Sequence, residues 1–221
     1  MKIFFGYIFC LLIVFGAISV ITVLQNALHF NVEVSRKIIH ILVGFTWLPM
    51  YFFLRDTVHY IIIPTLFIIV NALSNKYNVF KAIEREPDNG KNNLGTVYYA
   101  ICMTIMSIVC YVFPEMNTSY GVSVAVLSFG DGAAALLGSQ IKNHNYNICK
   151  NRSLIGTLSC FVFSIIGVLL LKIVIDIQLS FLQILLISLA AAIFEFFGGK
   201  FDNFVISFGT LFLSSFFLGV I

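Results

Sequence analysis

Eight stretches of this chain are candidates to cross a lipid bilayer, and that constrains its fold more than any motif it carries. A helix needs about 20 predominantly apolar residues to span the hydrocarbon. The candidates are Ile3–Leu24, Ile38–Leu54, Val58–Leu73, Thr96–Phe113, Tyr120–Leu137, Leu154–Ile175, Ser180–Phe197 and Phe204–Val220. Only short polar connections separate them, and the second and third are divided by no more than Arg55-Asp56-Thr57. Soluble domains are about one quarter charged. This chain is 10% charged and 60% hydrophobic over 221 residues, so little of it can face water. The expected fold is all-α: a polytopic bundle of about eight transmembrane helices, forming a single integral-membrane domain over residues 1–221.

Met1-Lys2 followed by Ile3–Leu24 has the opening of a signal peptide. Its apolar run exceeds the usual core of about 7–15 residues and no small-residue cleavage site follows, so it reads as a retained first span. The net charge of +3 carries no nucleic-acid signal. Cys10, Cys102, Cys110, Cys149 and Cys160 show no CxxC spacing and read as filler.

Basic residues predict the sidedness, because cytosolic loops collect Lys and Arg. Arg36, Lys37, Lys76, Lys81, Arg85, Lys91, Lys142, Lys150, Arg152 and Lys200 all fall on odd-numbered loops, and Lys2, Arg55 and Lys172 on the other side. Odd loops are therefore expected in the cytosol and both termini outside. The membrane would be the cell membrane in a prokaryote or the endoplasmic reticulum membrane in a eukaryote, with any site built on the odd loops facing the cytosol.

Against this background, buried polar groups stand out. A charged side chain in mid-helix costs roughly 2.5–3.5 kcal/mol on insertion scales, so each one is a functional candidate. Asp131 lies inside Ser128-Phe-Gly-Asp-Gly-Ala-Ala-Ala-Leu-Leu-Gly138, flanked by Gly130 and Gly132. Gly130, Ala134 and Gly138 recur every four residues and form a smooth stripe that a neighbouring backbone or a ligand can approach. The match to a dinucleotide fingerprint here is spurious, since that motif follows a strand. Arg36, Lys37, His40 and Gly44 share one helix face, which suits phosphates. Asn92, Asn93 and the free N–H groups beyond them offer an anion seat at the next helix start. Lys150 and Arg152 lie beside Ser153, a natural N-cap. Glu195 sits between phenylalanines, and Asp202-Asn203 opens the last span. All five groups lie on odd loops or at the same ends of spans. Acids and clustered cations on one face suggest a polyphosphate held with a divalent cation, because Mg²⁺ is usually bound by one or two carboxylates plus phosphate oxygens. A lipid alcohol, rising between small-residue helices, would be the acceptor.

The blocks RKIIH, NNLGTVYY, SFGDGAAALLG and RSLIGTLSCF, then Glu195 and Asp202-Asn203, resemble the CTP-dependent lipid kinases: dolichol kinase, phytol kinase and yeast-type diacylglycerol kinase. The resemblance runs from about Ser35 to Ser207 and extends to the phosphatidate cytidylyltransferases. It implies CTP as donor, Mg²⁺ or another divalent cation, and a polyprenol, phytol-like alcohol or diacylglycerol as acceptor, with membrane lipids around and no nucleic acid partner. It further implies roles at matching positions. Asp131 would be metal ligand or base, with Asp202 at the metal, His40 supporting it or handling the proton, and Glu195 a catalytic group completing the polar cleft with Asp202 and Asn203. Arg36, Lys37, Asn92, Asn93, Lys150, Arg152, Ser153, Gly156 and Asn203 would bind the nucleotide, with Gly130, Gly132 and Gly138 allowing close approach. Ile155 stands where the family commonly has an acid, and Ser207 where it commonly has proline. A cytidylyltransferase, a small ion-coupled transporter using Asp131, His40 and Glu195 as a relay, and a structural subunit are the competing readings.

Cys149 tests the sidedness. It should react with a membrane-impermeant thiol reagent only after the inner face is opened, and labelling of intact cells would reverse the topology.

Overall fold

The computed structural model describes residues 1–29, 31–77, 94–140, 147–149 and 152–221. Among them, the chain is helical almost throughout, and six helices are long and apolar enough to cross a membrane. The polypeptide divides into two compact units, Met1–Val112 and Phe113–Ile221, each with its own interior.

The first unit holds α1 (Lys2–Leu28), α2 (Val32–Gly44), α3 (Trp47–Phe53), α4 (His59–Tyr77) and α5 (Gly95–Val112). Helix α1 ends at His29 in the left-handed conformation, and Asn31 caps α2 by accepting from the Glu33 N–H at 3.0 Å. The second expected span, Ile38–Leu54, is not one continuous helix. It breaks between Gly44 and Trp47, where the Thr46 hydroxyl donates to the Val43 carbonyl at 2.7 Å and closes a turn. The Tyr7 hydroxyl and His59 Nδ1 lie 2.9 Å apart and join α1 to α4. The Asn71 amide donates to the Thr96 carbonyl at 3.1 Å and joins α4 to α5.

The second unit begins with a 3₁₀ turn (Pro114–Met116) and α6 (Asn117–Ala125). A six-residue π-helical turn (Val126–Asp131) then leads without a break into α7 (Gly132–Gln140). A short antiparallel pair, β1 (Asn147–Cys149) and β2 (Arg152–Ser153), precedes α8 (Leu154–Val174), α9 (Phe181–Gly198), a 3₁₀ turn (Gly199–Phe201) and α10 (Asp202–Phe217). Ser180 and Gln183 form a reciprocal capping box at the start of α9. Gly199, at φ 57°, makes the turn from α9 into α10 in a conformation that strains any side chain.

In the second unit the outward positions are apolar, while the interior mixes apolar side chains with many polar ones. Val162, Ile173, Leu182, Ile193, Phe212 and Phe216 are exposed, as lipid contact requires. Its interior holds Ser123, Ser128, Asp131, Ser164, Ser188, Glu195, Ser207, Thr210, Ser214 and Ser215, all buried. The Pro114–Gly138 segment is its central element and is far more deeply buried than α8. The Ser123 hydroxyl ties it to α10 by donating to the Ser207 carbonyl at 2.6 Å.

Small residues set the separation of α7 and α8. A Cβ at Gly156 would stand 3.1 Å from the Ala134 carbonyl oxygen, and one at Gly138 would stand 3.2 Å from the Gly156 Cα. Backbones that close cannot shift cheaply. Gly156→Val is expected to lower stability by about 1–3 kcal/mol, read as a fall in the unfolding midpoint in detergent. Gly16→Ala, where nothing lies within 4 Å of the new carbon, should leave the midpoint unchanged or raise it.

Candidate functional site

Asp131 closes the π-helical turn and is 2% exposed. A π turn carries one residue more than an α turn, so it rotates everything after it by about 100° relative to α6. That rotation decides which face of α7 meets α8. Glycine on both sides of Asp131 keeps bulk off the backbone here. A Cβ at Gly130 would fall 2.3 Å from the Ser164 Oγ and 3.3 Å from the Cys160 carbonyl oxygen. The stripe read from the sequence therefore exists, and α8 occupies it. Gly130 faces Cys160 and Ser164, Ala134 faces Gly156, and Gly138 faces Gly156 and Ser153. Gly132 is the first residue of α7.

The start of α8 is built by local chemistry. Ser153 lies in extended backbone and accepts from the Gly156 N–H at 3.1 Å, the N-cap expected from its position. Its hydroxyl and the Gly156 backbone are thus engaged in capping and helix packing. One turn on, the Thr157 hydroxyl lies 3.4 Å from a Glu195 carboxylate oxygen and equally far from the Ser153 carbonyl. Sequence reading missed Thr157; its place one turn after a cap on the buried side of α8 was the available signal.

Glu195 is 2% exposed, on the same side of α9 as Ile184, Ile187, Ser188, Ala191 and Ala192. It stands in the last turn of α9, where the helix dipole disfavours an anion. Position and burial together make it a costly residue to keep for packing alone. Asp202 stands at the opposite kind of end, the start of α10, where the dipole favours it; its carboxylate accepts from the Asn203 N–H at 2.8 Å. Asn203 is buried beside it.

In the first unit, α2 presents Arg36, Lys37 and His40 half-buried, while Ser35 and Ile39 turn fully inward. Arg36 pairs through Nη2 with Glu33 one turn earlier. Its Nε is buried with no partner among the described residues. The His40 ring lies 4.2 Å from that of Tyr99 on α5, tilted by 56°. The face predicted from sequence therefore carries an imidazole held against an aromatic ring one turn past a guanidinium. Asn92, Asn93 and Lys150 lie outside the described residues, and Arg152 lies in β2.

Among the described residues, no three of His, Cys, Asp and Glu gather as a metal cluster. A Mg²⁺ that arrives with a polyphosphate does not need such a cage, because phosphate oxygens and water complete its shell. A buried carboxylate such as Asp131 is an oxygen donor of the right kind.

A probable chloroplastic phytol kinase 1 from Glycine max is 26% identical to the chain over 138 residues, which is 58% of this chain and 45% of that protein. The chain thus spans less than half the length of that relative. No family model matches the chain, and no solved structure matches it.

The cap at α8 makes its own prediction. Ser153→Ala should lower stability by about 1 kcal/mol and speed amide exchange at Gly156. An unchanged exchange rate there would contradict the cap.

Proposed function

We propose that this chain is a membrane-embedded lipid kinase that moves the γ-phosphate of CTP to the hydroxyl of a lipid alcohol. The observation that carries this reading is Asp131, an almost wholly buried carboxylate between two glycines at a π-helical turn of the central helix. π turns are frequent at functional sites, and an intramembrane carboxylate is a functional candidate by default. The similarity to a probable phytol kinase supports a lipid-alcohol acceptor. CTP rests on the motif resemblance described above.

In the transfer, the acceptor's hydroxyl oxygen forms a bond to the γ-phosphorus while the bond from that phosphorus to the β–γ bridging oxygen breaks. CDP leaves, and the hydroxyl proton passes to a base. Such reactions depend mainly on positioning and charge neutralisation. Asp131 is assigned to the metal or to that proton, and both roles need an ionised carboxylate. Asp202 is assigned to the divalent cation, which when bound would neutralise phosphate charge. Arg36 and Lys37 are assigned to the phosphates. The Arg36 guanidinium suits this because it keeps a buried Nε free beyond its bond to Glu33. His40 and Glu195 are assigned to proton handling, and Lys150, Arg152 and Asn203 to the nucleotide. Reaction on the cytosolic side would give access to CTP.

Purified protein in lipid nanodiscs, given γ-labelled CTP, Mg²⁺ and a panel of polyprenol, phytol and diacylglycerol, should release CDP and label one lipid. Asp131→Asn should cut the rate by about 10²–10⁴-fold, the range for loss of a general base. Release of pyrophosphate with phosphatidate as acceptor would instead identify a cytidylyltransferase. Intact phosphate transfer in Asp131→Asn would overturn the assignment.

A further inference from the structure

Many helical hydroxyls in this chain follow a rule, and six buried serines among the described residues break it. In hydrocarbon, a helical Ser or Thr satisfies its O–H most simply by donating to the carbonyl four residues back on its own helix. Thr22, Thr65, Thr104, Ser107, Ser159, Thr210 and Ser214 all do so, at 2.6–2.9 Å. Among the described residues, the buried Ser35, Ser119, Ser164, Ser188, Ser207 and Ser215 do not. Ser164 on α8 and Ser188 on α9 are both 0% exposed, and neither hydroxyl has a hydrogen-bond partner among the described residues.

The register of the two helices carries these two serines into one layer. Thr157 meets Glu195, and one turn on Cys160 clusters with Ala192 and Ala134. Numbers rise along α8 as they fall along α9, so the helices are antiparallel, and one further turn takes α8 to Ser164 and α9 to Ser188. The same step takes Ala134 back to Gly130. Gly130 is where a Cβ would overlap the Ser164 Oγ, and where the Cys160 carbonyl oxygen also approaches. By this register the next layer holds Gly130, which directly precedes Asp131, with the buried Ser164 and Ser188.

We propose that the layer of Gly130, Ser164 and Ser188 is a seat for one neutral hydroxyl-bearing ligand that bridges the two serines. Each serine can donate and accept, and neither brings a charge, so the seat suits a water or an alcohol and not an ion. A buried water typically makes about three hydrogen bonds, and two serines with the nearby Cys160 carbonyl oxygen supply that number. A lipid alcohol's hydroxyl has the same chemistry. That source rests on the lipid-kinase reading above, whereas the seat itself does not.

The test uses the full chain in nanodiscs of fixed lipid composition and reads the unfolding midpoint of Ser164→Ala, Ser188→Ala and the double variant. Alanine keeps the close helix approach, so a purely packing role predicts no loss. The seat predicts that each single variant lowers the midpoint by about 2–4 °C. It also predicts that the double variant falls no further than the worse single, because either change releases the shared ligand. Midpoints that stay level or rise, or losses that simply add, would overturn it. Hexadecanol and hexadecane then separate the sources. Extra stabilisation by the alcohol in the parent chain, absent from the double variant, identifies the alcohol; equal effects of the two identify water. A failed kinase assay would leave the midpoint result standing.

Discussion

Hydrocarbon accepts no unsatisfied hydrogen-bonding group without a penalty of several kcal/mol, and the arrangement of this chain follows from that constraint. Backbone polarity is absorbed by helices. Side-chain polarity is driven inward, which is why the second unit carries its serines, Asp131 and Glu195 inside and Phe212, Phe216 and Ile193 outside. The close contact of α7 with α8 through Gly138 and Gly156 belongs to the same solution. With no water to expel between helices, backbones must approach closely to gain dispersion energy.

How much of this was readable in advance depends on the range of the physics. The spans were legible because transfer energy is summed over some twenty residues and is insensitive to detail. Ser153 as a cap was legible because an N-cap is made within four residues. The break at Phe45-Thr46 was not, since Ile38–Leu54 is apolar on both sides of it and the Thr46 hydroxyl that closes the turn could equally have sat in a helix. The π turn was hidden for a related reason: one extra residue leaves composition untouched while rotating Asp131 and all of α7. The β1–β2 pair, a few residues long, has no periodicity to read.

The candidate site divides along the same line. Residue types that are expensive in a membrane announced themselves, and Asp131 and Glu195 are both buried as their placement implied. Their partners did not, because Thr157 meets Glu195 across 38 residues of sequence. The glycine stripe was visible as a place of close approach, but only packing reveals that α8 fills it. Gly130 and Gly138 thereby serve the helix contact that positions Asp131.

The proposed function rests on the deeply buried Asp131 carboxylate acting in the transfer. The most direct measurement is therefore the unfolding midpoint of Asp131→Asn taken together with its rate of phosphate transfer, on the same preparation. Asparagine keeps the shape and the hydrogen-bonding oxygen but removes the charge. The account predicts a midpoint within about 2 °C of the parent chain, with transfer slowed by about 10²–10⁴-fold. A midpoint that collapses while transfer per folded molecule survives would make Asp131 a structural residue and contradict the account.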